Sequence, residues 1–133
     1  MPTQQKTNTL RDTDAAATLA VKDLEAAAKF YEHTLGLSRA GAEGDEVIVF
    51  ESGDTLINVY RSSFAGTNKA TALTWTVGDE VEAIARALKA KGVSFERYDM
   101  PGMTLKGDVH IASTMKIAWF KDPDGNILSI VSG

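Results

Sequence analysis

The chain nearly repeats itself, and that repeat sets the architecture. Residues 16–23 read AATLAVKD and residues 72–79 read ALTWTVGD, so Ala16 aligns with Ala72, Thr18 with Thr74, Val21 with Val77 and Asp23 with Asp79. Each stretch is a short alternating run, the pattern of a half-buried strand, and each ends in an Asp able to accept hydrogen bonds from the open amides of a following helix. Asp79 is followed three residues later by Glu82, the spacing of a capping box. After Asp23, Leu24, Ala27, Ala28, Tyr31 and Leu35 recur at helical spacing before Gly36; after Asp79, Val81, Ile84, Ala85 and Leu88 do so before Gly92.

Strands are predicted at 38–42, 46–52 and 55–61 beyond the first helix, and at 93–98, 115–121 and 126–132 beyond the second. The fold class is therefore α+β: two βαβββ modules forming a curved mixed sheet with a cavity, helices on the outer face. The modules span about 15–61 and 71–133 within one domain, 15–133. The small polar segment 62–70 links them, and 1–14 is expected to be a flexible N-terminal arm. The only long irregular stretch is 99–114, DMPGMTLKGDVHIAST, expected to be a lid or binding loop, or simply a mobile surface loop.

Strand alternation assigns faces. If Leu19, Val21, Leu73, Trp75 and Val77 pack on the helices, then Ala16, Thr18, Ala20, Ala72, Thr74 and Thr76 point the other way. That second face is small and mildly polar and leaves room for a small molecule. The closing hairpin is registered by DPDG at 122–125, which suits a type I turn with a left-handed glycine and a bulge; Asp122 then lies opposite Asn126, Trp119 opposite Ser129 and Ile117 opposite Val131.

Several function classes are excluded by what the chain lacks. It has 133 residues and no cysteine, so it offers no disulfide framework, thiolate nucleophile or Cys-ligated metal. A net charge of −4 with scattered basic residues argues against nucleic acid as a partner. No apolar run is long enough to span a membrane, and the opening MPTQQKTNTLRDTD has neither region of a signal peptide, so a cytoplasmic location is expected. No P-loop, dinucleotide fingerprint or nucleophile elbow is present.

The paired modules, the phrase VKDLEAAAKFYEHTLGL and the terminal FKDPDGNIL resemble the vicinal oxygen chelate superfamily, which includes glyoxalase I, extradiol dioxygenases, fosfomycin-modifying enzymes and bleomycin resistance proteins. The resemblance implies metal ligands at four inward positions, usually His on the first strand of each module and a carboxylate on the last. Here those positions read Ala16, Asn58, Ala72 and Ser129. Two alanines have no donor atoms, and a neutral amide with a hydroxyl makes a poor divalent-metal site, so no metal and no cofactor is expected.

The expected ligand-binding residues are Asn58, Tyr60, Thr74 and Ser129 on the strands, Trp119 on the closing hairpin, and Tyr98, Met100, Met103 and His110 at the cavity rim. Phe50 and Phe64 are further candidates. Trp119 divides evenly between core and cavity, whereas Trp75 reads as core. Asn58 and Ser129 are expected to bond a ligand or each other. Of the two histidines, His33 reads as a solvated helix residue; His110 is either a surface loop residue or a hydrogen-bonding or proton-transfer group at the cavity mouth. Asp122 and Asp124 are explained by their turn. Two functions follow: a metal-independent homodimer that sequesters a planar aromatic or polyketide-like small molecule, resembling the bleomycin resistance proteins, or a lyase or isomerase using Tyr60, Tyr98 or His110 as acid or base.

Overall fold

Both halves follow the βαβββ order that the repeat predicts, the second with an added short β-hairpin. The computed structural model describes residues 10–12 and 14–133, so most of the expected arm lies outside the described residues. In the first module β1 (Ala17–Val21) leads to α1 (Leu24–Ala28), followed by β2 (Ser38–Glu43), β3 (Val47–Ser52) and β4 (Thr55–Arg61). The second runs β5 (Thr71–Thr76), α2 (Val81–Ala90), β6 (Phe95–Glu96), β7 (Thr104–Lys106), β8 (Val109–Ala112), β9 (Met115–Lys121) and β10 (Ile127–Val131). The strands form two mixed sheets, ordered β1-β4-β3-β2 and β5-β10-β9-β8-β7, with β6 also on β9. In each, the first strand lies parallel to the last: Thr18 is opposite Asn58, and Thr74 is opposite Ser129.

Asp23 starts α1 as expected, its Oδ1 accepting from the amides of Glu25 at 3.0 Å and Ala26 at 3.2 Å. The helix then widens into a π-helical stretch, Lys29–Thr34, and Gly36 ends it at φ 80°. Asp79 does not cap α2. The chain leaves β5 through Gly78 at φ 63° and inserts a 3-10 turn, Gly78–Glu80, so Asp79 falls too early to reach the first helical amides. Glu82 consequently closes no capping box; it takes the Lys116 ammonium at 3.0 Å, a pair that holds its carboxyl below the usual range.

The segment 99–114 is irregular only in part. Residues 104–112 form a β-hairpin, β7 to β8, turning at Gly107 and extending the sheet beyond β9. Strands of three and four residues are too short to show alternation, which is why sequence reading takes them for a loop.

The core lies on the helix side of both sheets. Leu19, Val21, Phe50, Ile57 and Val59 of the first module meet Ala118, Phe120, Leu128 and Ile130 of the second, with Ala27, Tyr31, Val81 and Ala85 from the helices. Trp75 stacks on Phe120 with centroids 6.5 Å apart and is core-associated, as expected. Phe50 is fully buried here and so faces away from the cavity, because its strand parity matches Ile48 and not Val49. Among the described residues, no helix is long and apolar enough to cross a membrane.

The DPDG turn ties the modules together. Asp122, 4% exposed, accepts from the Tyr31 hydroxyl at 2.7 Å, the Asn126 amide group at 2.7 Å, and the backbone amides of Asp124 and Asn126. Asn126 also donates to the Ala20 carbonyl at 2.8 Å, and the Lys22 amide donates to Asp124 at 3.0 Å. The linker closes over this turn at Gly66, where φ is 76° and an added Cβ would meet the Asp124 carbonyl oxygen at 2.1 Å. Gly66→Ala is accordingly expected to cost about 1–3 kcal/mol, read as a lower urea midpoint at unchanged slope.

Candidate ligand-binding face

The strand faces turned away from the helices carry the chemistry. On the first sheet, Thr18 and Ala20 of β1 share this face with Leu56, Asn58 and Tyr60 of β4. On the second, Thr74 and Thr76 share it with Ser129 and Val131, Ile117 and Trp119, and His110 and Leu105. The hairpin register is the bulged one: Trp119 pairs with Ser129, Ile117 with Val131, and the Asp122 amide donates to the Asn126 carbonyl at 3.0 Å. Gly125, at φ 91°, supplies the left-handed position.

Ser129 is 2% exposed, and its hydroxyl lies 2.8 Å from that of Thr74. The polar pair on the second sheet is therefore Thr74–Ser129, not Asn58–Ser129, because Asn58 belongs to the other sheet. Beside it three rings meet, with Trp119 edge to face against the other two. Trp119 stands 4.9 Å from His110 and 5.3 Å from Tyr98, and Tyr98 stands 6.0 Å from His110. The Trp119 indole N–H donates to the Thr71 hydroxyl at 3.1 Å, which fixes the ring with part of its surface open. Thr71 is a residue that sequence reading missed; its position at the start of β5 gave no signal of the partner.

His110 is not a surface loop residue. It sits on β8, 1% exposed, because the hairpin carries it onto the sheet under Tyr98 and Trp119. Its Nε2 lies 2.9 Å from the Tyr98 amide and 3.1 Å from the Tyr98 carbonyl, while Nδ1 is buried without a partner. Partial burial, with Glu96 nearby, raises the Tyr98 phenol above its ordinary value. His33 is exposed on the π-helical stretch, as expected. Met100 and Met103 lie on the connector between β6 and β7, Met100 exposed and Met103 half-buried.

Apart from Met100 and Met103 on their connector, the expected site residues divide into two groups. Thr74, Tyr98, His110, Trp119 and Ser129 assemble on the second sheet. Asn58 and Tyr60 occupy the first, where Tyr60 and Phe64 border a hollow of about 330 Å³ with Thr18, Ala20 and Ala72. Large apolar side chains stand open on both faces: Leu56 at 43%, Tyr60 at 38%, Leu105 at 41% and Met115 at 41%. A larger depression of about 550 Å³ lies on the other side of the second sheet, between α2 and the hairpin. Its walls mix charges, and the Lys89–Asp108 pair at 3.1 Å borders it.

The four positions that carry metal ligands in the family the sequence resembles do not fit a divalent metal. Ala16 and Ala72 supply no donor, the Ser129 hydroxyl is already engaged with Thr74, and Asn58 brings one neutral amide. Among the described residues no three His, Cys, Asp or Glu side chains converge.

Solved structures of similar shape include lactoylglutathione lyase from Agrobacterium tumefaciens, 17% identical over 92% of this chain and 94% of that one, with a TM-score of 0.69. A glyoxalase family protein from Enterococcus faecalis is 15% identical over 93% and 100%, at 0.69. Fosfomycin resistance protein FosX from Mesorhizobium loti is 14% identical over 92% and 92%, at 0.66. At these identities the likeness shows the fold alone. No curated protein matches the chain significantly. The model of the Glyoxalase/Bleomycin resistance protein/Dioxygenase superfamily matches residues 14–130, nearly the whole chain, and the protein belongs to that superfamily.

Proposed function

We propose that the protein binds a planar aromatic or polyketide-like small molecule without metal chemistry and holds it unaltered. The observation that carries this reading is the trio of Trp119, Tyr98 and His110 on the helix-free face, next to a Thr74–Ser129 pair where a metal-dependent relative would place a ligand. A fixed indole presents a large apolar surface at little conformational cost, and stacked or edge-to-face partners add about 0.5–1.5 kcal/mol each beyond burial. The superfamily includes bleomycin resistance proteins by name, which agrees with a binding role.

The same reading includes a homodimer. Leu56 and Tyr60 stand exposed on one sheet and Leu105 and Met115 on the other, and pairing a first module with the second module of another copy covers both faces and joins the two groups of site residues. Light scattering is expected to give a dimer at micromolar concentration, and Met115→Lys, which places an unpaired charge on the covered face, is expected to shift it toward monomer.

The experiment is a tryptophan fluorescence titration with a panel of aromatic antibiotics and metabolites, in which Trp119→Phe separates the Trp119 signal from that of Trp75. Saturable quenching that disappears in the variant, with the compound recovered unchanged, supports the proposal. A compound recovered chemically altered supports instead a lyase or isomerase; lyase is the activity in the name of the Agrobacterium structure.

A further inference from the structure

His110 holds an unusual position in this face. It is the buried member of a ring cluster whose other two members, Tyr98 and Trp119, are partly open. One ring nitrogen has two alternative partners and the other has none. Nε2 lies within reach of both the amide N–H and the carbonyl of Tyr98, at 2.9 Å and 3.1 Å. Nδ1 is removed from solvent and unbonded. A neutral imidazole carries one donor and one acceptor. When Nε2 accepts from the Tyr98 amide, the proton resides on Nδ1, which is then an unused donor. When Nε2 donates to the Tyr98 carbonyl, Nδ1 is an unused acceptor. Either tautomer keeps its anchor.

We infer that His110 reads the polar edge of the bound molecule through Nδ1, as donor or acceptor according to what the molecule offers. The inference rests on the aromatic-binding reading and deepens it: the ligand class is fused or planar rings bearing a ring nitrogen, carbonyl or hydroxyl at one edge, in preference to plain hydrocarbon rings. A buried polar nitrogen without a partner is costly, so a molecule that satisfies it gains what an unsubstituted ring cannot. The Tyr98 ring stands beside the imidazole at 6.0 Å, and no hydrogen bond from its hydroxyl to the described residues holds it in place. A phenylalanine at position 110 would fill the same space with no such selectivity.

The test uses three probes of one size: naphthalene, quinoline with an acceptor nitrogen, and 2-naphthol with a donor hydroxyl. Calorimetry on the full chain is expected to show quinoline and 2-naphthol binding at least about tenfold more tightly than naphthalene, with His110→Phe levelling the three and His110→Gln restoring part of the difference. Nitrogen-15 spectra of the histidine rings supply the readout that packing alone would not move. Quinoline is expected to drive Nδ1 of His110 to its protonated position and 2-naphthol toward its unprotonated one, with His33 unchanged. If all three bind alike and the His110 signals stay fixed, the inference is overturned while the aromatic-binding reading stands. If none of the three binds, both fall.

Discussion

Asp122→Ala is expected to lower the stability of the folded chain by about 3–5 kcal/mol, among the larger effects of any single substitution here. The carboxylate is 4% exposed and accepts from the Tyr31 hydroxyl, the Asn126 side chain and two backbone amides. Removing it strands the Tyr31 hydroxyl, itself fully buried on the π-helical stretch, and frees the Asn126 side chain that holds the Ala20 carbonyl of β1. The π-helical stretch, β1 and the closing hairpin, which the turn links by hydrogen bonds, lose their common acceptor. Tyr31→Phe removes one of the four bonds and is expected to cost about 1.5–3 kcal/mol.

The Tyr31 contribution has a pH signature. Burial first, and then the Asp122 and Asp124 carboxylates, push the phenol far above its ordinary value. Its folded form stays protonated where the unfolded form, near pH 10, begins to ionise. The unfolded state then binds fewer protons than the folded state, so stability falls as pH rises. The wild-type advantage over Tyr31→Phe is therefore constant below about pH 10 and shrinks above it. Urea denaturation at pH 7 and at increasing alkaline pH measures both the size and the sign.

Trp119→Ala is expected to weaken binding of an aromatic ligand on the order of a hundredfold, with a much smaller effect on stability. The indole is the contact common to Tyr98 and His110, at 5.3 Å and 4.9 Å, and its N–H bond to Thr71 sets its plane. Its loss removes the largest apolar surface and lets the two remaining rings collapse into the space. It is half-buried on the face away from the core, so the core contacts of Trp75 and Phe120 survive. Calorimetric titration of wild type and variant with one ligand from the panel, beside their melting curves, separates the two effects. An equal loss in both would place Trp119 in the fold and not in the site.

Much of the fold was legible because it is written locally. The repeated strand ending in Asp, the glycines at 36 and 92, and DPDG each act within a few residues, and the hairpin register followed from the turn type alone. Asp79 misled because one left-handed glycine before it led into a 3-10 turn and moved the helix cap on by one residue, to Glu80. The β7–β8 hairpin escaped notice because strands this short show no period, and with it went the environment of His110. The turn register placed Trp119 opposite Ser129 correctly, but it could not reveal that Thr74 would take the Ser129 hydroxyl or that Thr71 would anchor the indole. Those partners lie on strands brought together by a parallel pairing distant in sequence. The Tyr31–Asp122 bond, between residues 91 apart, is likewise a product of module packing.

The central claim is that this member of the superfamily has given up the metal centre and kept the sheet face as a binding surface. Elemental analysis of untagged protein, dialysed against zinc, nickel, iron and manganese and then freed of unbound ions, tests it most directly. The account predicts far less than one metal ion per chain and ligand binding unchanged by chelator. One ion per chain, with glutathione–methylglyoxal turnover that chelation abolishes and metal restores, would contradict it.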